Sequence, residues 1–301
     1  MPTAIVLESV TKRFNGKVAV DDVSLEVPEG SVYGFIGPNG SGKTTTLRMI
    51  MNILLPDAGR VSVLGDSTTS AARDRIGYLP EERGLYKQMQ VRRLLRYYGE
   101  LKGGRRQDME READQWLERL GLSGVATQKV ESLSKGMAQK VQFIATVVAR
   151  PEVVILDEPF SGLDPVNRDV LRDAVLSLRA SGTTVVFSTH DMSMAELMCD
   201  RIFMIFKGRT VLDGPLADIQ RQYGRDIVRV RVRGDARVVA GMPGVAGLND
   251  HGNLQDVRLT MEPQAWLREL VTRADVEHFE IARPSLHDIF VDIARPTPEE
   301  A

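Results

Sequence analysis

Residues 37–45 read Gly37-Pro38-Asn39-Gly40-Ser41-Gly42-Lys43-Thr44-Thr45, which fits the phosphate-binding pattern G-x-x-x-x-G-K-[ST]. Glycines let successive backbone N–H groups curl around an anion where a Cβ would clash. Lys43 brings a mobile positive charge to the β- and γ-phosphates of a nucleotide, and Thr44 offers a hydroxyl to Mg²⁺. An acidic pair, Asp157-Glu158, ends the apolar run Val153-Val154-Ile155-Leu156. An apolar strand of a parallel sheet delivers such carboxylates to the sheet's C-terminal edge, where ligands bind. There Asp157 is expected to hold Mg²⁺, directly or through water, and Glu158 to polarise a water for attack on the γ-phosphate.

The elements that must position these groups can be read around them. Val32 to Ile36 is a short apolar run and Thr44 to Ile53 reads as a helix, so phosphate would sit at a helix N-terminus. Ala4 to Val27 suggests short strands broken at Asn15-Gly16, and Val61 to Leu64 a further one. From about residue 85 to 150 the pattern turns helical, with Val91, Leu94, Leu95, Tyr98 and Leu101 at helical spacing. Met109, Ala113, Trp116, Leu117 and Leu120 mark the next helix, with Gly121 as its cap. Strands are predicted at Val153 to Leu156, Thr184 to Ser188 and Ile202 to Phe206, and helices at Asn167 to Ala180 and Met192 to Asp200. Alternating strands and helices imply an α/β fold with a largely parallel sheet and an inserted helical block. The tail holds strands at 227–233, 254–261 and 276–281 and helices at 263–272 and from Pro284, a small α+β domain. Residues 1–220 and 221–301 are the expected domains.

The chain has 301 residues, 43% hydrophobic and 27% charged, with a formal net charge of −2. That balance gives no reason to expect nucleic acid as a partner. The strand Ile227-Val-Arg-Val-Arg-Val-Arg233 has one basic face, which a half-exposed strand needs in any case. The single cysteine, Cys199, allows no intrachain disulfide and lies in an apolar stretch as a core residue, so a reducing cytosol is the expected compartment. The N-terminus lacks the regions of a signal peptide, and no run approaches the roughly 18–20 apolar residues that span a bilayer. Work at a membrane would require another chain to supply the membrane part.

Leu133-Ser134-Lys135-Gly136-Met137 precedes a helical pattern and stands about 20 residues before Asp157-Glu158. In this order and spacing it resembles the Leu-Ser-Gly-Gly-Gln signature of ATP-binding cassette (ABC) ATPases. Ser161-Gly162-Leu163-Asp164 looks like that family's D-loop, and Ser188-Thr189-His190-Asp191 like its switch-histidine segment. The resemblance implies a phosphate-loop cassette: a mainly parallel core, an antiparallel β subdomain and an inserted helical subdomain. It further implies that two cassettes, expected here to be identical, pack head to tail with ATP and Mg²⁺ between one phosphate loop and the partner's signature. Ser134, the N–H of Gly136, Met137 and Asp164 would then face the partner's nucleotide, Phe14 would stack on adenine, and His190 would contact the γ-phosphate.

Two positions depart from the family pattern. Glu81, in Ile76-Gly-Tyr-Leu-Pro-Glu81, stands where glutamine is usual as a ligand of Mg²⁺ and the attacking water. A carboxylate there can bind Mg²⁺ but repels the γ-phosphate. Lys135 and Met137 replace glycine and glutamine, while Ser134 and Gly136, which supply the family's phosphate contacts, are retained. These variants resemble a subgroup of ABC exporter ATPases, and Pro284-Ser-Leu-His-Asp-Ile-Phe290 resembles the appended domain of drug- and sodium-extruding members. The expectation is an ATPase subunit on the cytoplasmic face of the cell membrane, docked on integral membrane subunits. A soluble ABC ATPase of translation or DNA maintenance is the alternative, although such proteins usually carry two cassettes or a long coiled-coil insertion. An unrelated phosphate-loop kinase would have no use for the signature, D-loop and switch histidine.

Overall fold

The computed structural model describes residues 2–66, 72–82, 84–223, 227–252, 254–282 and 284–294. Arg83, two residues after Glu81, lies outside them. The chain divides into two compact units, Met1–Pro215 and Leu216–Ala301.

In the first unit a six-stranded sheet runs in the order β5 (Ile76–Leu79), β6 (Val153–Asp157), β7 (Thr184–Thr189), β3 (Val32–Ile36), β8 (Arg201–Phe206), β9 (Arg209–Pro215). All neighbours are parallel except β8 and β9. Every residue of β3, β6 and β7 is buried, because a parallel sheet covered on both faces needs continuous apolar runs rather than alternation. A second, antiparallel sheet has the order β2 (Lys17–Pro28), β1 (Thr3–Phe14), β4 (Ala58–Val63). Its inward residues Ile5, Val10, Val20 and Val61 join Leu47 and Ile50 of α1 (Lys43–Ile50) and Phe35 and Phe203 of the large sheet in one core. The expected mainly parallel core and antiparallel subdomain are both present.

The helical block comprises α2 (Val91–Leu101), α3 (Arg106–Arg119) and α4 (Lys135–Val147). Trp116 of α3 meets Phe143 of α4 edge to face at 5.7 Å. Gly121, at φ 68°, terminates α3 in the left-handed conformation that a side chain would resist. Helix α5 (Pro165–Ala180) starts with proline at its first turn behind the capping carboxylate of Asp164, and α6 (Met192–Met198) is capped by Asp191. Cys199 is buried beneath β3: a Cβ added to Gly34 would lie 2.5 Å from its Sγ.

The second unit begins with α7 (Leu216–Tyr223), so the expected boundary at 220/221 falls inside a helix. That helix groups with the tail, and its Gln220 donates to the carbonyl of Pro284. Its antiparallel sheet has the order β11 (Val245–Asp250), β12 (Gln255–Leu259), β10 (Ile227–Arg233), β13 (Asp275–Ala282). The short helix α8 (Arg237–Ala240) and α9 (Pro263–Leu270) supply Val239, Trp266 and Leu270 to a core with Val228, Val230 and Val257, and α10 (Leu286–Ala294) is the last element among the described residues. The arginines of β10 are paired across the sheet: Arg229 makes a two-pronged contact with Asp256, and Arg233 binds Glu277. Among the described residues no helix is long and apolar enough to cross a membrane.

Candidate functional site

Four neighbouring strands, β5, β6, β7 and β3, end at one edge of the large sheet, and the segments that follow them carry Glu81, Glu158, His190 and the phosphate loop. A cleft of about 410 Å³ is lined there by Asn39, Gly40, Lys43, Thr44, Glu158 and His190, with Ala19, Gly42, Thr45, Glu81 and Ser161 completing its wall. The loop's shape depends on its glycines. Gly42 has φ 113°, and a Cβ on it would meet the carbonyl oxygen of Ala19 at 2.7 Å. Pro38 and Ser41 shape the loop through the bond from the Ser41 N–H to the Pro38 carbonyl. Gly37 approaches even closer to its neighbour, since a Cβ there would lie 2.2 Å from the Ile205 carbonyl. Lys43 is buried and donates to the carbonyls of Gly37 at 2.7 Å and Pro38 at 3.2 Å. Burial pulls its ammonium below the usual lysine range, opposed by the negative charges of Glu158, Asp157 and Glu81.

Asp157 is 1% exposed. Its Oδ1 accepts from Ser188 at 2.5 Å and from the Thr44 hydroxyl at 3.4 Å, while Oδ2 has no hydrogen-bond partner among the described residues. A buried carboxylate oxygen is not left unpaired without penalty, and beside a threonine hydroxyl it has the hard oxygen chemistry that Mg²⁺ prefers. The donor set therefore fits that ion. Glu158 holds φ at 49°, unusual for a residue with a Cβ. Its N–H is shared between the carbonyl of Ser188 at 3.2 Å and that residue's hydroxyl at 3.1 Å. Its Oε1 lies 3.0 Å from His190 Nδ1. Register explains this meeting: Asp157 pairs with Ser188 across β6 and β7, so the residues just beyond them share one end.

Ser134, Gly136, Met137 and Asp164 do not line the cleft. They gather where two helices begin. Ser134 caps α4 by accepting from the Met137 N–H, and Asp164 caps α5 by accepting from the Asn167 N–H. A Cβ on Gly136 would touch Asn167 and Leu163, and one on Gly162 would reach the Lys135 ammonium, so signature and D-loop pack together. Phe14, at the end of β1, is 43% exposed, with the Lys12 ammonium 5.6 Å from its ring centre; it also lies outside the cleft's lining.

Sequence reasoning missed three polar residues. Ser188 links Asp157 to the backbone of Glu158. Gln139 and Gln142, both buried in α4, donate to the carbonyls of Pro159, and of Pro80 and Glu82. A serine at the end of an apolar strand beside an acidic one was the available signal for the first. The glutamines gave none, since in the periodicity they look like surface positions.

The family model described as ABC transporter matches residues 20–161, and the model described as the C-terminal domain of DrrA1-3-like ATP-binding proteins matches residues 214–294. The chain is 40% identical to the uncharacterized ABC transporter ATP-binding protein YhaQ of Bacillus subtilis, over 96% of this chain and 97% of that one. It is 34% identical to the daunorubicin resistance ATP-binding protein DrrA3 of Streptomyces coeruleorubidus, over 97% and 96%. With the Nod factor export ATP-binding protein I of Burkholderia lata it shares 38% over 76% and 77%. A solved ATP-binding subunit of an ABC transporter superposes with a TM-score of 0.69 at 30% identity, covering 74% of this chain and 94% of the other.

Proposed function

The chain belongs to the ABC transporter ATP-binding proteins and is an ATP-hydrolysing subunit of that family, and from that premise we propose that it drives an exporter from the cytoplasmic face of the membrane. The observation carrying the chemistry is the single cleft that joins Lys43 and Thr44 to Glu158 and His190. The exporter reading is supported by relatives named for daunorubicin resistance and Nod factor export. With no membrane-crossing helix among the described residues, the translocation path falls to separate membrane subunits.

In the proposed mechanism the loop amides and Lys43 bind the β- and γ-phosphates of ATP. Thr44 and Asp157 would hold Mg²⁺, with Glu81 at the cleft wall as a further oxygen donor; the ion would neutralise charge on the phosphate oxygens. Glu158 accepts a proton from the water whose oxygen attacks the γ-phosphorus, while the bond to the β-phosphate oxygen breaks and ADP leaves. His190, with its proton on Nδ1, donates to Glu158 and holds that carboxylate towards the water. Ser134, Gly136, Met137 and Asp164 complete the shell in a dimer of identical chains: they are exposed or half-buried helix starts outside their own chain's cleft, suited to a partner's γ-phosphate. Phe14 stacks on adenine from its exposed strand end.

Glu158→Gln tests the reading. ATP binding is expected to persist, a nucleotide-bound dimer to accumulate and turnover to fall by about 10² or more. Wild-type turnover in that variant would refute Glu158 as the base.

A further inference from the structure

Helix α4 starts at the signature and carries two buried amides on one face. Gln139 and Gln142 are 7% and 6% exposed and stand three residues apart, which on a helix makes them neighbours. Gln139 Nε2 donates to the carbonyl of Pro159 at 2.5 Å. Gln142 Nε2 reaches the carbonyls of Pro80 and Glu82, both at 3.4 Å. The first amide thus grips the residue directly after Glu158, and the second grips both neighbours of Glu81.

The turn that presents Glu158 is a strained one. Its left-handed φ of 49° is unfavourable for a residue with a Cβ. Ser188 anchors the turn on the β7 side through the Glu158 N–H, and the Ser161 N–H closes it by donating to the Glu158 carbonyl. From the α4 side the tie is Gln139. Its own Oε1 is buried with no partner among the described residues, so the amide keeps its orientation solely through the donating end.

We propose that Gln139 is a positioning residue for Glu158, fixing the carboxylate's turn to the helix that begins at Ser134, so that a shift of α4 moves the catalytic turn with it. The proposal rests on the reading of Glu158 as the base. Gln142 does the equivalent for Glu81, making α4 the common mount of both carboxylate-bearing loops.

The test uses the full chain with Gln139→Met, which keeps the volume and removes the donor, and Gln139→Glu, which keeps the shape and turns the donor into an acceptor. For each, kcat, ATP affinity and melting temperature are measured in the wild-type and the Glu158→Gln backgrounds. Loss of one neutral hydrogen bond at this turn is expected to lower kcat by about tenfold, with ATP affinity within about twofold. In the Glu158→Gln background either substitution should alter the residual hydrolysis by less than about twofold, since the two residues act as one unit. Unchanged kcat in both Gln139 variants overturns the proposal, as does an equal further fall in the Glu158→Gln background. Wild-type turnover in Glu158→Gln alone would instead overturn the assignment of the base. If Gln139→Met melts too low to assay, Gln139→Glu decides by the same criteria.

Discussion

His190 Nδ1 stands 3.0 Å from Glu158 Oε1, although 31 residues separate them and each follows a different strand. The carboxylate is nearly buried while the imidazole is largely exposed. The histidine therefore reaches the base from the solvent side and limits its rotation. His190→Ala is expected to lower kcat by about ten- to a hundredfold with little change in ATP affinity. In combination with Glu158→Gln it should add almost nothing, a double-mutant cycle in steady-state turnover that would expose independent action.

Ser188 serves two acidic residues at once, donating to Asp157 and accepting from the Glu158 N–H. Ser188→Ala removes a hydrogen bond to a charged acceptor, worth about 1.5–3 kcal/mol. The Mg²⁺ concentration for half-maximal hydrolysis is expected to rise by at least about tenfold, because the Asp157 carboxylate loses the contact that aims it. A Mg²⁺ titration at saturating ATP checks this, and an unchanged midpoint would show Asp157 to be aimed without Ser188.

Gly42 has φ 113° and faces the Ala19 carbonyl. Gly42→Ala introduces both a clash and a forbidden backbone conformation, a strain of about 1–3 kcal/mol. The loop is expected to open at that point, with nucleotide binding lost in fluorescence titration while the far-ultraviolet circular dichroism of the sheets and helices persists.

Burial pushes the Cys199 thiol up, and burial does the same to the Tyr33 hydroxyl, which also donates to Asp213 at 2.6 Å. Both protons are held more tightly in the folded chain than in the unfolded one. Their contribution is intact below the unfolded values, about 9 for the thiol and 10 for the phenol, and is lost progressively as pH rises past them. Melting temperature should therefore decline from about pH 9 upward, and a thiol reagent at pH 8 should label Cys199 only after urea unfolding.

Much of the site was legible because its residues sit at strand ends. The apolar runs before Asp157 and His190 announced buried parallel strands, and the glycine spacing around Lys43 announced the loop. What escaped was short, half-exposed or polar. Strand β5 has four residues, β9 is an antiparallel edge with polar positions facing out, and β11 contains Gly247 and Asn249, residues that weaken any strand pattern. Helix α7 was not predicted although Gly214-Pro215 stands just before it, since its eight residues carry only a short apolar pattern. Gln139 and Gln142 were invisible for a different reason. Their partners are main-chain carbonyls, and composition carries no record of them. The basic stripe of β10 was read as a sheet face, and its charges prove to be answered by Asp256 and Glu277 from the adjacent strands.

The pairing of β3 with β7 joins Val32 to Val185 and its pairing with β8 joins Tyr33 to Arg201, so the centre of the large sheet is built from its longest-range contacts in sequence. Such a pairing forms late, after the intervening chain has been synthesised and collapsed. A nascent chain released before Thr184 would display the whole phosphate loop and yet have no neighbour for β3 on that side. The order of the strands thus delays the sheet's centre: a chain that stops before Thr184 lacks both neighbours of β3 and the histidine as well.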